Sequence, residues 1–405
     1  MSEKTEPIPV DAAAVQHVHS FMAGLRQRGA VCPVTAPRRD HAFLVTRYPD
    51  VLALLADKRI QHDITAKAKQ DLGGGEFDYQ QALMYRMVGN SLLYRDPPDH
   101  TRLRKLINRA FTPRTIERMS CALTERIEKI LAGFDPDQPI DVVTQFGIPL
   151  SLFTICELLG IPEDEERDQF WHWAEHVNGG AVTPAYYRTL EHAGDYLTEL
   201  IRHKRAHPTE DLLSELIAVS DEDGDRLSAD ELIATVLLLL MAGQDTTVSL
   251  ITNTTLSLLT APDQLSLLHV DHELVINAIE EVLRYECPVN ILPPRYATEP
   301  ITVDGATIPA GGVVLLSVAS ANRDDAEFPD PDRFDVTRRP GRQLAFGHGI
   351  HYCPGAPLAR LEARLAIDGL ITRYPNLRLV SNPDELRWRD STLMHSPAEL
   401  LIRID

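Results

Sequence analysis

Twelve residues, Leu232 to Gly243, make the longest nearly unbroken apolar run in the chain. The run, LIATVLLLLMAG, has no polar stripe at helical spacing, so a helix built from it must be buried on all sides. It is too short to span a bilayer, which takes about 20 residues. Ser228 and Glu231 stand just ahead of it with the S-x-x-E spacing of a capping box. The pattern therefore predicts one helix from Ser228 to about Thr260, roughly 32 residues and about 48 Å long at 1.5 Å per residue. Gly243 lies near its middle and weakens it there. Such a helix needs protein around it, and 405 residues are enough to build a deep core.

The rest of the chain is read as mainly helical with a minor β component. Helical spacing dominates from Asp99 to about Tyr285. Segments Asp99 to Ala110, Arg114 to Gly133 and Asp141 to Gly160 each read as a helix, the last despite Gly147 and Pro149. Ala42 to Thr46 and Val313 to Val318 read as strands. Residues 301–308 read as a hairpin turning at Asp304-Gly305. Residues 41–62 and 286–326 are expected to hold the small β region. Residues 1–40, with Pro7, Pro9, Pro33 and Pro37, are expected to be irregular. Two more short strands are expected at Leu377 to Val380 and Leu400 to Ile404. No linker divides the chain, which predicts a single domain over 1–405.

Charge excludes some functions. Forty basic and 59 acidic residues give a net charge of −19. That disfavours nucleic acid and anionic membrane surfaces as partners. The five cysteines contain no C-x-x-C pair, so a zinc knuckle, a dithiol redox centre and a secreted disulfide scaffold are all unsupported. The amino terminus is polar and acidic, and the expected location is the cytoplasm.

The most informative segment is Phe346-Gly347-His348-Gly349-Ile350-His351-Tyr352-Cys353-Pro354-Gly355. Its glycines let the backbone reach positive φ and approach a flat ligand closely. A helix is expected to begin at Pro354, which places Cys353 at a helix amino terminus, where a thiolate is favoured. One thiolate with no second cysteine nearby suits a single axial bond to haem iron. A buried inert cysteine and a nucleophile assisted by His351 are the alternatives. The six constant positions F-G-x-G-x-H-x-C-x-G match by chance at on the order of one start site in 10⁷ to 10⁸. The loop resembles the haem signature of the cytochrome P450 superfamily, and the resemblance runs from about Ala42 to the carboxy terminus.

The resemblance implies a single large P450 domain with a long central helix over haem b, ligated by Cys353. It implies haem contacts from Phe346, Gly347, Ala242 and Gly243, and propionate partners His100, Arg104, Arg295 and His351. Buried propionates need such partners, because an unpaired buried carboxylate is costly. Glu281 and Arg284 match the family's structural E-x-x-R pair, expected to lock the meander around Arg333. By itself the spacing is weak, since Glu199 and Arg202 repeat it. Ala242-Gly243-Gln244-Asp245-Thr246-Thr247 resembles the oxygen-activation motif. There Thr246 is expected to hydrogen-bond dioxygen and Asp245 to relay protons, with Gly243 leaving room beside them.

The chain has no flavin, nicotinamide or iron–sulfur fingerprint, so electrons are expected from a ferredoxin and its reductase. Arg102, Arg104, Lys105, Arg109 and Arg114, with Arg360 and Arg364, are candidates for a docking patch. Substrate contacts implied by the resemblance are Met84, Met87, Val88, Leu240, Met241, Val289, Asn290, Ile291, Leu292 and Met394. Trp171 to Tyr187 and the rest of the segment Leu393 to His395 are further candidates. Most of these are apolar, and Asn290 is the polar exception. The expected activity is hydroxylation or epoxidation of a largely apolar secondary metabolite with O₂, as in actinobacterial members of the family. Oxidative coupling at the same centre, peroxide-driven chemistry, a non-catalytic haem sensor and a cysteine hydrolase are the rival readings.

Overall fold

The computed structural model describes residues 6–36, 39–73, 75–110, 112–162, 169–178, 183–222, 227–339 and 341–404. The chain forms two compact units. The first comprises Met1–Gln61, Thr124–Pro149 and Thr246–Asp405, and the second His62–Leu123 and Leu150–Asp245.

The long helix is present as a single element, Ala229–Thr260. Ser228 and Glu231 close the capping box reciprocally. The Glu231 amide donates to Ser228 Oγ at 3.1 Å, and the Ser228 amide donates to Glu231 Oε2 at 2.8 Å. By length and composition this helix and the segment Val142–Leu159 could each cross a membrane, but most of each apolar window is buried within the protein. Segment Val142–Leu159 starts as a π-helix, Val142–Gly147, and continues as an α-helix, Ile148–Leu159. The π turns come before Pro149, which then lies in the first turn of the α-helix, where its missing N–H costs nothing. Asp141 caps the start through the amides of Val143 and Thr144.

In the first unit a six-stranded sheet carries the β content. It runs, in spatial order, Ile8–Pro9, Val31–Ala36, Arg39–Val45, Val313–Leu316, Arg295–Ala297 and Ile60–Gln61. The expectation that residues 1–40 are irregular is wrong. They hold helix Val18–Arg28 and two strands of this sheet. Val18, Met22 and Leu25 recur at i, i+4 and i+7 and are all buried, a stripe that the prolines obscured. Pro33 stands within strand Val31–Ala36, opposite Phe43, and does not break it. The β region thus begins well before residue 41. The hairpin Ile301–Val303/Ala306–Ile308 turns at Asp304 and Gly305, both at positive φ (45° and 79°). A small sheet joins Ile140–Asp141, Leu401–Arg403 and Arg378–Leu379.

Helix Leu274–Tyr285 and helix Ala356–Arg373 frame the segment that carries the cysteine. Glu281 and Arg284 are both buried and meet in a bidentate pair, 2.8 Å at each contact. Arg284 also donates to the carbonyls of Asn322, Pro331 and Arg333. Arg333 takes part through its backbone, while its guanidinium is largely exposed. The side chain that completes the lock is Arg338, which sequence reasoning missed. Its Nε donates to Glu281 Oε1 at 3.1 Å, and the Asp335 amide donates to the same oxygen. The other E-x-x-R pair, Glu199 and Arg202, is exposed.

In the second unit, helix Asp99–Ala110 carries His100 and Arg104, and helix Pro184–Ala206 packs closely on Met87. The side chains of Arg109 and Arg114, and residues 179–182 of the segment Trp171 to Tyr187, lie outside the described residues.

Candidate functional site

The cysteine loop is built from the first unit alone. The Gly347 amide donates to the Leu344 carbonyl at 2.8 Å, and the Cys353 amide donates to the Phe346 carbonyl at 2.9 Å, which closes the loop. Gly347 and Gly349 both adopt φ of 73°, the left-handed region that favours glycine. A Cβ on Gly349 would lie 3.1 Å from the Leu55 carbonyl oxygen, a backbone atom that cannot move aside. Gly349→Ala is therefore expected to cost about 1–3 kcal/mol through left-handed strain plus this contact. Gly305→Ala has similar φ but open space around it. Paired melting curves check this: equal losses in the two variants would remove the contact from the account.

The following helix starts later than the sequence suggests. Gly355 is its cap and Ala356 its first residue, so Pro354 lies outside it. Cys353 precedes the cap by two residues, its carbonyl accepts from the Ala356 amide, and its side chain is half-buried. Phe346, at the head of the loop, stands under the Arg360 guanidinium at 4.4 Å. Arg360 is held there by Glu280, with Nη2 to Oε2 at 3.2 Å. His351 lies in a short turn, Gly349–His351, and Arg295 is buried in strand Arg295–Ala297. In the same unit Val289 bridges to Met394, and the Asn290 amide donates to the Leu393 carbonyl. The predicted substrate segments 289–292 and 393–395 are therefore neighbours. Asn290 is buried, and its Oδ1 accepts from Ser317 Oγ at 3.3 Å.

In the second unit His100 is buried, and burial followed by the charge of Arg104 pushes its imidazole down to about 4. His100 is therefore neutral near pH 7, and Arg104 supplies the positive charge of this spot. Met87, Leu240 and Met241 are buried, while Met84 and Val88 are half-buried. Met87 packs against Gly194, where a Cβ would meet its sulfur at 3.3 Å. Arg102, expected to be free for docking, is paired with Glu231 at the start of the long helix.

On the long helix, Gln244 and Asp245 are buried, whereas Ala242 is exposed and Thr246 half-buried. Positions i and i+4 share a face, so Ala242 and Thr246 form an accessible spot on a mostly buried helix. Gly243 has a different reason from the one expected. A Cβ there would lie 3.0 Å from Ile155 Cδ1, so the glycine admits helix Ile148–Leu159 rather than leaving free space. Ser151 of that helix donates to the carbonyl oxygens of Gly243 and Gln244 at 3.3 and 2.9 Å.

These residues fit a haem. The cysteine sits in a loop whose glycines allow a flat group to approach, and the Arg104 cation with the polar His100 ring on helix Asp99–Ala110 suits a carboxylate. A mainly helical fold with a thiolate loop of this form defines a haem-thiolate oxygenase. The cytochrome P450 family model matches residues 184–402, and the chain belongs to the cytochrome P450 family. It is 42% identical over 379 residues to a vitamin D(3) 25-hydroxylase of Pseudonocardia autotrophica, covering 94% of this chain and 92% of that one. It is 41% identical to the cytochrome P450 monooxygenase PikC of Streptomyces venezuelae, over 94% of this chain and 89% of that one. Among solved structures, the tirandamycin C-bound P450 monooxygenase TamI superposes with a TM-score of 0.90 at 38% identity, covering 98% of this chain and all of that one. The protein is thus a bacterial-type P450 monooxygenase, and its cofactor is protoporphyrin IX haem ligated by a cysteine thiolate.

Proposed function

We propose that this monooxygenase hydroxylates or epoxidises a largely apolar secondary metabolite in the cytoplasm, with Cys353 as the thiolate ligand. The haem, when bound, supplies the iron that activates O₂, and a thiolate favours O–O cleavage by donating electron density. His100, Arg104, Arg295 and His351 would hold its propionates, and Ala242, Gly243, Phe346 and Gly347 would lie against it.

The observation that carries the reading is on the long helix. A half-buried threonine, Thr246, follows directly on a buried carboxyl, Asp245. Thr246 Oγ1 donates a hydrogen bond towards oxygen, and Asp245 passes protons inward behind it. A peroxide-driven enzyme has no need of such a relay. Thr246→Ala is expected to keep consuming reductant while product formed per electron falls roughly tenfold and peroxide appears, as for loss of a proton-transfer group. Unchanged coupling in that variant would take Thr246 out of proton delivery.

The substrate is apolar because the residues assigned to it are apolar: Met84, Met87, Val88, Leu240, Met241, Val289, Ile291, Leu292 and Met394, with Asn290 the polar exception. The relatives' names support a bulky organic molecule, since one hydroxylates vitamin D(3) and another structure holds tirandamycin C. Electrons come from a ferredoxin and its reductase. Arg360 and Arg364 line a surface groove with Ile276, Ile279, Leu361 and Glu280, which pairs with Arg360 and leaves Arg364 as the basic contact for a small acidic partner.

A further inference from the structure

Glu286 stands one residue past helix Leu274–Tyr285 and is buried. Its Oε1 lies 2.7 Å from His19 Nε2 and 2.6 Å from His395 Nε2. An ionised carboxylate can only accept, so both imidazoles donate from Nε2. Burial alone would push the Glu286 carboxyl up, but His19 and His395 outweigh it and hold it well below the usual range. Arg323 Nη2 lies 3.5 Å from Glu286 Oε2 and 3.4 Å from His19 Nε2. The three donor groups are close enough together to hold a metal ion, but a guanidinium at this distance opposes a divalent cation. The trio is better read as a fastening between chain segments.

What it fastens is specific. His19 belongs to helix Val18–Arg28, which the sequence left irregular. His395 adjoins Met394, and Trp388 stacks flat on its ring at 4.0 Å. The backbone repeats the tie. Asn253 Nδ2 donates to the carbonyls of both Glu286 and His395 at 2.8 Å, and the His395 amide donates to the Pro288 carbonyl at 2.8 Å. These bonds join segment 288–292 to segment 392–395, the two stretches of this unit assigned to substrate contact.

We propose that Glu286 is a positioning residue for substrate specificity, which sets the separation of these two pocket walls by drawing His395 and His19 onto one carboxylate oxygen. This rests on the assignment of the two segments to the substrate. A bulky apolar ligand meets walls of set spacing, because a buried carboxylate with charged or polar donors on both sides does not release them readily.

The test uses the haem-loaded protein and two azoles, imidazole and 4-phenylimidazole, titrated by absorption. Both bind the iron, but only the second carries a ring that reaches the walls. For Glu286→Ala, imidazole affinity should stay within about twofold, while the preference for 4-phenylimidazole over imidazole changes about tenfold, or 1.4 kcal/mol. Exchange of the Asn290 and His395 amides should quicken by about tenfold or more, as local opening becomes easier. Glu286→Gln should recover much of both, since its carbonyl oxygen can accept from both imidazoles as Oε1 does. His19→Leu leaves Glu286 with His395 and Arg323, so it serves if Glu286→Ala yields no holoprotein, and a smaller change in the same direction is expected. Faster exchange with an unchanged azole preference would mean that these segments do not line the pocket, overturning the substrate assignment and the proposal with it. Unchanged exchange would overturn the clamp and leave the substrate assignment standing.

Discussion

Replacing Cys353 by His is expected to leave a protein that still takes up haem but turns over at least on the order of 10³-fold more slowly, equivalent to about 4 kcal/mol of barrier. The imidazole can ligate iron, so haem content need not fall. It cannot donate electron density as a thiolate does, and that donation favours O–O cleavage. The reduced protein with carbon monoxide should therefore lose the strongly red-shifted Soret band expected of the parent. Three features make Cys353 the residue to change. It ends a loop closed by the Cys353 amide on the Phe346 carbonyl. It precedes the cap of a helix, Gly355, by two residues. Cys32, Cys156 and Cys287 are buried elsewhere, and burial pushes the Cys287 thiol up to about 12, the wrong direction for a metal-binding thiolate. Persistence of the red-shifted band in Cys353→His, with normal turnover, would move the ligand to another cysteine.

The second large effect is on stability. Arg284→Ala is expected to cost about 3–5 kcal/mol, the usual penalty for breaking a buried pair by removing one partner. Glu281 would remain buried with only Arg338 and the Asp335 amide beside it. The carbonyls of Asn322 and Pro331 would lose the Arg284 donor, and that of Arg333 would keep only Arg338 Nη2. Because the meander leads into the cysteine loop, haem retention should fall with the urea midpoint. Glu199→Ala provides the control, since it breaks the same E-x-x-R spacing where both side chains are about two-thirds exposed. Its midpoint should not move measurably, as solvent screens such pairs. Equal shifts in the two variants would show that burial does not set the value of this pair.

The same comparison explains what was legible beforehand. Spacing alone could not tell Glu281-x-x-Arg284 from Glu199-x-x-Arg202, and order along the chain was needed to choose. Nothing in the sequence pointed to Arg338, because its partner lies 57 positions away. Nor did it point to His19 and His395, which meet Glu286 from opposite ends of the chain. Gly243 was identified as important for the wrong reason, since a glycine that opens space and one that admits a neighbouring helix look alike in a string of letters. In the first 40 residues four prolines mask the weaker stripe of Val18, Met22 and Leu25.

Local chemistry determined the rest. The long helix followed from an apolar run with a capping box, because backbone hydrogen bonding and burial are both decided over a few turns. The hairpin followed from Asp304-Gly305, because few residues accept the positive φ that its turn demands. The cysteine loop and the class of cofactor followed from six positions within ten residues, all of whose constraints are local. Tertiary structure alone decided which charges are buried, which glycines face another helix, and which distant side chains share one carboxylate. Those properties depend on what packs against a residue, and a chain's own sequence states that only after it has folded.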